Sequence, residues 1–280
     1  MPSMTLLGVA QGIPSVFVTK ILAATKPDFI FLDVQHAIFD RLALYDAVHA
    51  AQHHSEGSAA VLVRVPKHDQ VSLITALDAG ASAIIIPDTE SAQEVEDFIQ
   101  QIYYPPIGKR SFSPWTFTPG VSGVSLYPND PFNVATGQRH VCVIPQIESV
   151  KGVENLDEIA AVKGIHGLMF GAGDFSLSAG LPIQLGGVPH PTLADAMGKY
   201  HAAAQKNDLV TLGLAQWPEM VPMLVQQNYS AIVTVLDYWM LEGMVKSTLV
   251  KAANIVKQFA EKETAEKENA EKETAENETP

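Results

Sequence analysis

A chain of 280 residues, 47% apolar and 18% charged, can bury one large α/β core or two small ones. Its formal net charge of −13 argues against nucleic acid or an anionic membrane surface as partner. A lone cysteine, Cys142, excludes an intramolecular disulfide framework and suits a reducing compartment.

Short apolar runs then alternate with longer helical ones. The predicted strands are Leu6–Ala10, Phe29–Asp33, Val61–Val65, Ala83–Pro87, Val141–Ile147, Gly167–Phe170, Val210–Leu214 and Ala231–Leu236. Their β-branched content and length suit buried parallel strands. Between them lie helical segments such as Arg41–His53, Gln70–Ala79, Ser91–Gln101, Val153–Ala161, Leu193–Lys206 and Trp217–Gln227. Some end in glycine turns, Asp78-Ala79-Gly80 among them. This rhythm predicts a (β/α)8 TIM barrel over residues 1–259. A doubly wound sheet competes less well, because no phosphate-binding glycine fingerprint follows the first strand.

Two stretches break the rhythm. Tyr103–Gln138 is long, rich in Pro, Gly and Ser, and carries five aromatics between Tyr103 and Phe117, which marks it as a functional loop. Residues 260–280 repeat Glu-Lys-Glu-Thr-Ala at Glu261 and Glu271 and are expected to form a disordered, solvated tail. No apolar run approaches the ~20 residues that span a bilayer, and no basic-then-apolar leader is evident. The protein is therefore expected in the cytoplasm, with no membrane partner.

Catalytic groups of a barrel belong at the C-terminal strand ends. There the chain places Asp33 and His36, Arg64, Gln146 and Glu148, Asp174, and Asp237. Glu148 and Gln146 share strand parity and so face one side. An acid at a strand mouth costs desolvation unless it is compensated, and a divalent cation compensates two. Glu148 and Asp174, without nearby Cys or His, suit Mg²⁺ or Mn²⁺. Such an ion would chelate a 2-oxo acid and stabilise its enolate as a Lewis acid. Arg64 would neutralise the substrate carboxylate and enolate oxygen. His36 is the natural proton-transfer group, oriented by Asp33 or Asp78; spacing does not choose between them. His49 and His53 share a helix face but lack a third ligand, and are read as solvated.

These residues resemble the HpcH/HpaI class II aldolases of the phosphoenolpyruvate/pyruvate barrel superfamily. The resemblance rests on Phe31-Leu32-Asp33-Val34-Gln35-His36-Ala37, Val63-Arg64-Val65 and Leu77-Asp78-Ala79-Gly80-Ala81. It continues through Tyr104-Pro105-Pro106-Ile107-Gly108-Lys109-Arg110, Pro145-Gln146-Ile147-Glu148-Ser149 and Phe170-Gly171-Ala172-Gly173-Asp174-Phe175-Ser176. It implies a metal on Glu148 and Asp174, Gln146 beside the keto acid, and Arg64 on the enolate. It implies His36 in proton transfer with Asp78 as its partner, and backbone N–H groups of Gly171, Ala172 and Gly173 on the carboxylate. It also implies a homo-oligomer, a hexamer built from dimers that exchange a helix at about Trp239 to Phe259.

The function so implied is reversible cleavage of a 4-hydroxy-2-oxo acid into pyruvate and an aldehyde through a metal-bound enolate. The alternative is an oxaloacetate decarboxylase that uses the same enolate in carbon–carbon bond formation. Two departures bear on this choice. The family usually has an acid where Gln35 stands, and small residues where Ser111-Phe112-Ser113-Pro114-Trp115 follows Arg110. A scaffold protein acting through its repetitive tail is the reading from another class.

Overall fold

The computed structural model describes residues 5–116, 134–183 and 188–277. Eight parallel strands close a barrel in chain order: β1 Leu6–Gln11, β2 Phe29–Asp33, β3 Ala60–Arg64, β4 Ala83–Ile86, β5 Cys142–Ile147, β6 Gly167–Phe170, β7 Val210–Leu214 and β8 Ala231–Leu236. The predicted (β/α)8 barrel is the fold, and each predicted strand is present to within one or two residues.

The helices are α1 Val16–Ala24, α2 Arg41–His54, α3 Gln70–Ala79, α4 Ala92–Ile102, α5 Val134–Arg139, α6 Val150–Glu154, α7 Leu156–Ala160, α8 Ala172–Ser178, α9 Pro191–Lys206, α10 Val221–Gln226 and α11 Asp237–Asn277. Local chemistry sets several boundaries. The Asp40 carboxylate accepts from the Ala43 N–H at the start of α2, and Asp69 accepts from Val71 and Ser72 at the start of α3. Gly80, at φ 94°, ends α3 in the left-handed conformation that glycine adopts without strain. The segment read as one helix over Val153–Ala161 is two, broken at Asn155. That over Trp217–Gln227 starts as a short 3₁₀ turn at Pro218–Met220 before α10.

Strand parity sorts side chains into two cores. Phe29, Phe31, Leu62, Ile85, Ile144, Met169 and Leu212 fill the barrel, while Ile30, Leu32, Val61, Val63, Ile84 and Leu168 pack under the helices. The inward parity continues to the C-terminal strand ends, which places Asp33, Arg64 and Gln146 above the filled interior. Registers fix the neighbours: Asp33 pairs with Arg64 across β2 and β3, and Gln146 with Met169 across β5 and β6.

Of the long loop, residues 103–116 are described; 117–133, including Phe117, lie outside the described residues. Its two leading tyrosines are buried, and the Tyr103 hydroxyl donates to Val141 O at 3.0 Å. Phe112 and Trp115 are exposed.

The chain divides into two units, Met1–Asp237 and Tyr238–Pro280. The second is α11, which continues to Asn277 through the repeat expected to be disordered. Glu, Lys and Ala are strong helix formers, so that composition sustains a helix without burying a face. Among the described residues no helix is long and apolar enough to cross a membrane.

Candidate active site

Glu148 follows the end of β5 and is almost wholly buried. One carboxylate oxygen, Oε1, accepts from the Asp88 backbone N–H at 2.6 Å; the other, Oε2, accepts from Gln146 Nε2 at 2.5 Å. Burial pushes the Glu148 carboxyl up to about 7; the Asp88 N–H pulls against this, and the negative charge of Asp174 adds to it. Two acids therefore share one mouth and repel. A cation between them would relieve both the desolvation and the repulsion, so the donor set fits a hard divalent ion. Among the described residues no group of three or more His, Cys, Asp and Glu side chains gathers as a metal cage. A metal here would rest on two carboxylates, with room for substrate oxygens.

Asp174 sits in the first turn of α8, whose N-cap is Gly171. A Cβ at Gly171 would lie 2.5 Å from Glu148 Oε2 and 2.6 Å from Glu148 Cβ, so only glycine admits the acid at this depth. The Gly171 N–H donates to Ile147 O at 2.9 Å, within the barrel. Of the three backbone donors expected for a carboxylate, Gly171 is thus already engaged. Ala172 and Gly173 remain as first-turn N–H groups that the helix leaves without an internal acceptor.

Arg64 ends β3 and Asp33 ends β2. Their register lets two parallel bonds form: Arg64 Nε to Asp33 Oδ1 at 3.0 Å and Nη2 to Oδ2 at 2.6 Å. Both side chains are largely shielded from water, and the guanidinium lies over the Phe31 ring at 5.7 Å. The remaining terminal nitrogen, Nη1, donates to Gln146 Oε1 at 3.4 Å. An unbroken chain of contacts thus runs from Asp33 through Arg64 and Gln146 to Glu148. Such a bidentate pair fixes the plane of the arginine as well as its charge.

The surroundings of His36 and Asp78 are arranged differently. His36 is exposed, and among the described residues its ring makes no hydrogen bond. Asp33 Oδ1 instead accepts the backbone N–H groups of Gln35 at 3.1 Å and His36 at 3.4 Å, which shapes the loop but leaves the imidazole free. Asp78, on α3, accepts from Arg110 Nη2 at 2.7 Å, and no hydrogen bond joins it to His36. Arg110 lies over the Tyr104 ring at 4.7 Å and is buried. Neither carboxylate considered for His36 therefore orients its ring in this structure.

Asp237, the polar end of β8, is structural. Its carboxylate accepts from the backbone N–H groups of Gly12 and Ile13 at 3.0 and 2.9 Å and fastens the turn after β1. Sequence reasoning assigned no role to the Asp88 N–H or to Arg110. Nothing in the chain signals a backbone donor sixty residues from its acceptor.

A closed parallel barrel with an acidic pair and a pinned arginine at its C-terminal mouth has the layout of a barrel enzyme. The model of the HpcH/HpaI aldolase/citrate lyase family matches residues 15–228, and the chain belongs to that family. It is 29% identical over 213 residues to the hydroxypyruvate/pyruvate aldolase of Roseovarius nubinhibens, covering 74% of this chain and 78% of that protein. Among solved structures, macrophomate synthase superposes with a TM-score of 0.86 at 60% identity, over 92% of this chain and 87% of that one. The citrate lyase beta subunit from M. tuberculosis, complexed with oxaloacetate and magnesium, shares the fold at 16% identity and a TM-score of 0.53, over 84% of this chain and 92% of that one.

Proposed function

We propose that this chain is a metal-dependent aldolase that cleaves a 4-hydroxy-2-oxo acid into pyruvate and an aldehyde, and runs in reverse. The carrying observation is the contact chain Asp33–Arg64–Gln146–Glu148, with Asp174 close enough to raise the Glu148 carboxyl. Glu148 and Asp174 would hold Mg²⁺ or Mn²⁺, as the magnesium named for a family neighbour supports. When bound, the ion supplies positive charge that favours the enolate form of the keto acid.

The protein groups act around that charge. Arg64, its plane set by Asp33, binds the substrate carboxylate and the oxygen that becomes negative. Gln146 holds the 2-oxo acid beside Glu148, and the Ala172 and Gly173 N–H groups receive the carboxylate. His36 takes the proton of the 4-hydroxyl; the C3–C4 bond then breaks, the aldehyde leaves, and the electron pair becomes the pyruvate enolate. Protonation at C3 completes pyruvate. An exposed, unbonded imidazole can exchange that proton with solvent.

A second reading rests on a specific observation, the 60% identity to macrophomate synthase. On it the same residues form the enolate by decarboxylating oxaloacetate, and the exposed Phe112 and Trp115 stack on a planar acceptor. The two readings share the enolate and differ in its source and fate.

The apolar side chains Tyr238, Leu241, Val245 and Leu249 recur at helical spacing along α11 and are exposed. They support a homo-oligomer in which this helix is exchanged between copies, an exposed apolar stripe of that length being an interaction surface.

The deciding experiment follows the pyruvate methyl protons by NMR in D₂O, with Mg²⁺, with Mn²⁺ and after chelation by EDTA. Metal-dependent exchange, lost in Glu148→Ala, supports the enolate. Side-by-side turnover of oxaloacetate and a 4-hydroxy-2-oxo acid then separates the two readings. No exchange with either metal overturns the aldolase reading.

A further inference from the structure

The Asp88 turn, after β4, is built to hold Glu148. Asp88 is left-handed at φ 47°, a conformation aspartate tolerates better than most residues but not freely. In that conformation its N–H points at Glu148 Oε1, while the next N–H, of Thr89, donates to Gln146 O at 3.1 Å. The turn is thus stapled twice onto the end of β5. Its carbonyl faces the other way and meets Lys67, from the loop after β3. Lys67 Nζ donates to Asp88 O at 2.6 Å and to Asp88 Oδ2 at 3.4 Å, and lies 3.3 Å from Glu94 Oε2. The lysine side chain is only 19% exposed, so this ammonium has exchanged most of its water for these acceptors.

We infer that Lys67 is a positioning residue for Glu148, acting through the left-handed Asp88 turn. The inference rests on the reading of Glu148 as a metal ligand. A charge-assisted bond to the Asp88 carbonyl holds the peptide geometry that aims the preceding N–H at Oε1. Without it Asp88 relaxes toward the commoner negative φ and its N–H swings away. Glu148 then keeps Gln146 as a donor but loses the contact that fixes its second oxygen. Outer partners that orient a metal ligand commonly change affinity about 10- to 100-fold when removed. Among the described residues Lys67 makes no hydrogen bond or ion pair with Glu148 itself, which separates it from the site residues already described.

The test is Mn²⁺ titration of the metal-free enzyme, read by the EPR signal of free Mn²⁺, alongside pyruvate methyl exchange at saturating Mn²⁺. Lys67→Met is expected to weaken Mn²⁺ binding about tenfold and lower the kcat of exchange, with KM for pyruvate changed less than about twofold. Lys67→Arg, which still reaches Asp88 O, should recover most of the affinity. Lys26→Met, removing an exposed lysine paired with Glu56, should bind as the wild type. If Lys67→Met fails to fold, Lys67→Gln carries the same test, with weakened Mn²⁺ binding again expected. Wild-type Mn²⁺ affinity in the Lys67 variants, with binding abolished in Glu148→Gln, overturns the positioning role and leaves the metal reading intact. Wild-type binding in Glu148→Gln overturns the metal reading itself, and this inference with it.

Discussion

The two sides of the barrel mouth are built on different physical plans. Across the network that runs from β2 to β5, both oxygens of Glu148 accept hydrogen bonds and Arg64 is gripped at two points by Asp33, all largely shielded from water. In the loop after β2 His36 stands in solvent and, among the described residues, its ring is unbonded, while Asp78, near the end of α3, is engaged by Arg110. The first side is an electrostatic environment prepared before substrate arrives, which is where fixed charges stabilise a developing negative charge most effectively. On the proposed reading the second exchanges protons with water, and burial would depress the basicity of an imidazole. The buried charges and the exposed imidazole thus differ in surroundings although Asp33 meets both, through the Arg64 guanidinium and the His36 backbone N–H.

Breaking the prepared side should have the largest effect. Glu148→Ala or Asp174→Ala should abolish Mn²⁺ binding and reduce methyl exchange by at least about a thousandfold, the upper range for losing one stabiliser of transition-state charge. Full turnover in either variant would mean that the metal is held elsewhere.

The solvent side should yield a smaller and more selective loss. His36→Gln is expected to slow carbon–carbon cleavage about a hundredfold, measured by initial rates on a 4-hydroxy-2-oxo acid. Asp78→Asn separates the two accounts of His36. If Asp78 serves Arg110, as the hydrogen bonds indicate, its loss lowers thermal stability by about 1–2 kcal/mol and costs much less rate than His36→Gln. A rate loss equal to that of His36→Gln, at unchanged stability, would restore Asp78 as the partner of the histidine.

A further test sharpens the contrast through pH. Folded Glu148 keeps its proton up to about 7, against 4.5 for a free glutamate. Between those values the folded state binds more protons than the unfolded one, so stability of the metal-free enzyme falls as pH rises through that window. The cost of the ionised acid is then about 3 kcal/mol above pH 7, at 1.36 kcal/mol per unit. Thermal unfolding from pH 4.5 to 8 should show this slope in the wild type and lose it in Glu148→Gln. Saturating Mg²⁺ or Mn²⁺ should also flatten it, since a cation favours the charged form.

Much of this was legible in the chain. Apolar runs of four to seven residues between helical segments fix a parallel barrel, because only strands covered on both faces read as unbroken apolar runs. Parity along β5 placed Gln146 and Glu148 together, whereas the close approach of the Gly171 backbone to Glu148 was found only in the structure. The partner of His36 was not legible, because Asp33 and Asp78 are equally available on paper. The structure shows instead what each carboxylate holds, Arg64 for Asp33 and Arg110 for Asp78. For the repeat after residue 260, low complexity argues against a buried face, and a helix of Glu, Lys and Ala does not need one.

The sequence by itself determined the barrel, the family and the identity of the acids, because periodicity, length and residue type are local properties of the chain. The tertiary structure alone decided who holds whom: Asp88 on Glu148, Lys67 on Asp88, Asp33 on Arg64, Arg110 on Asp78. Hydrogen-bond partners compete through space over short distances, and neither that competition nor the desolvation that gives it force is written in spacing along the chain.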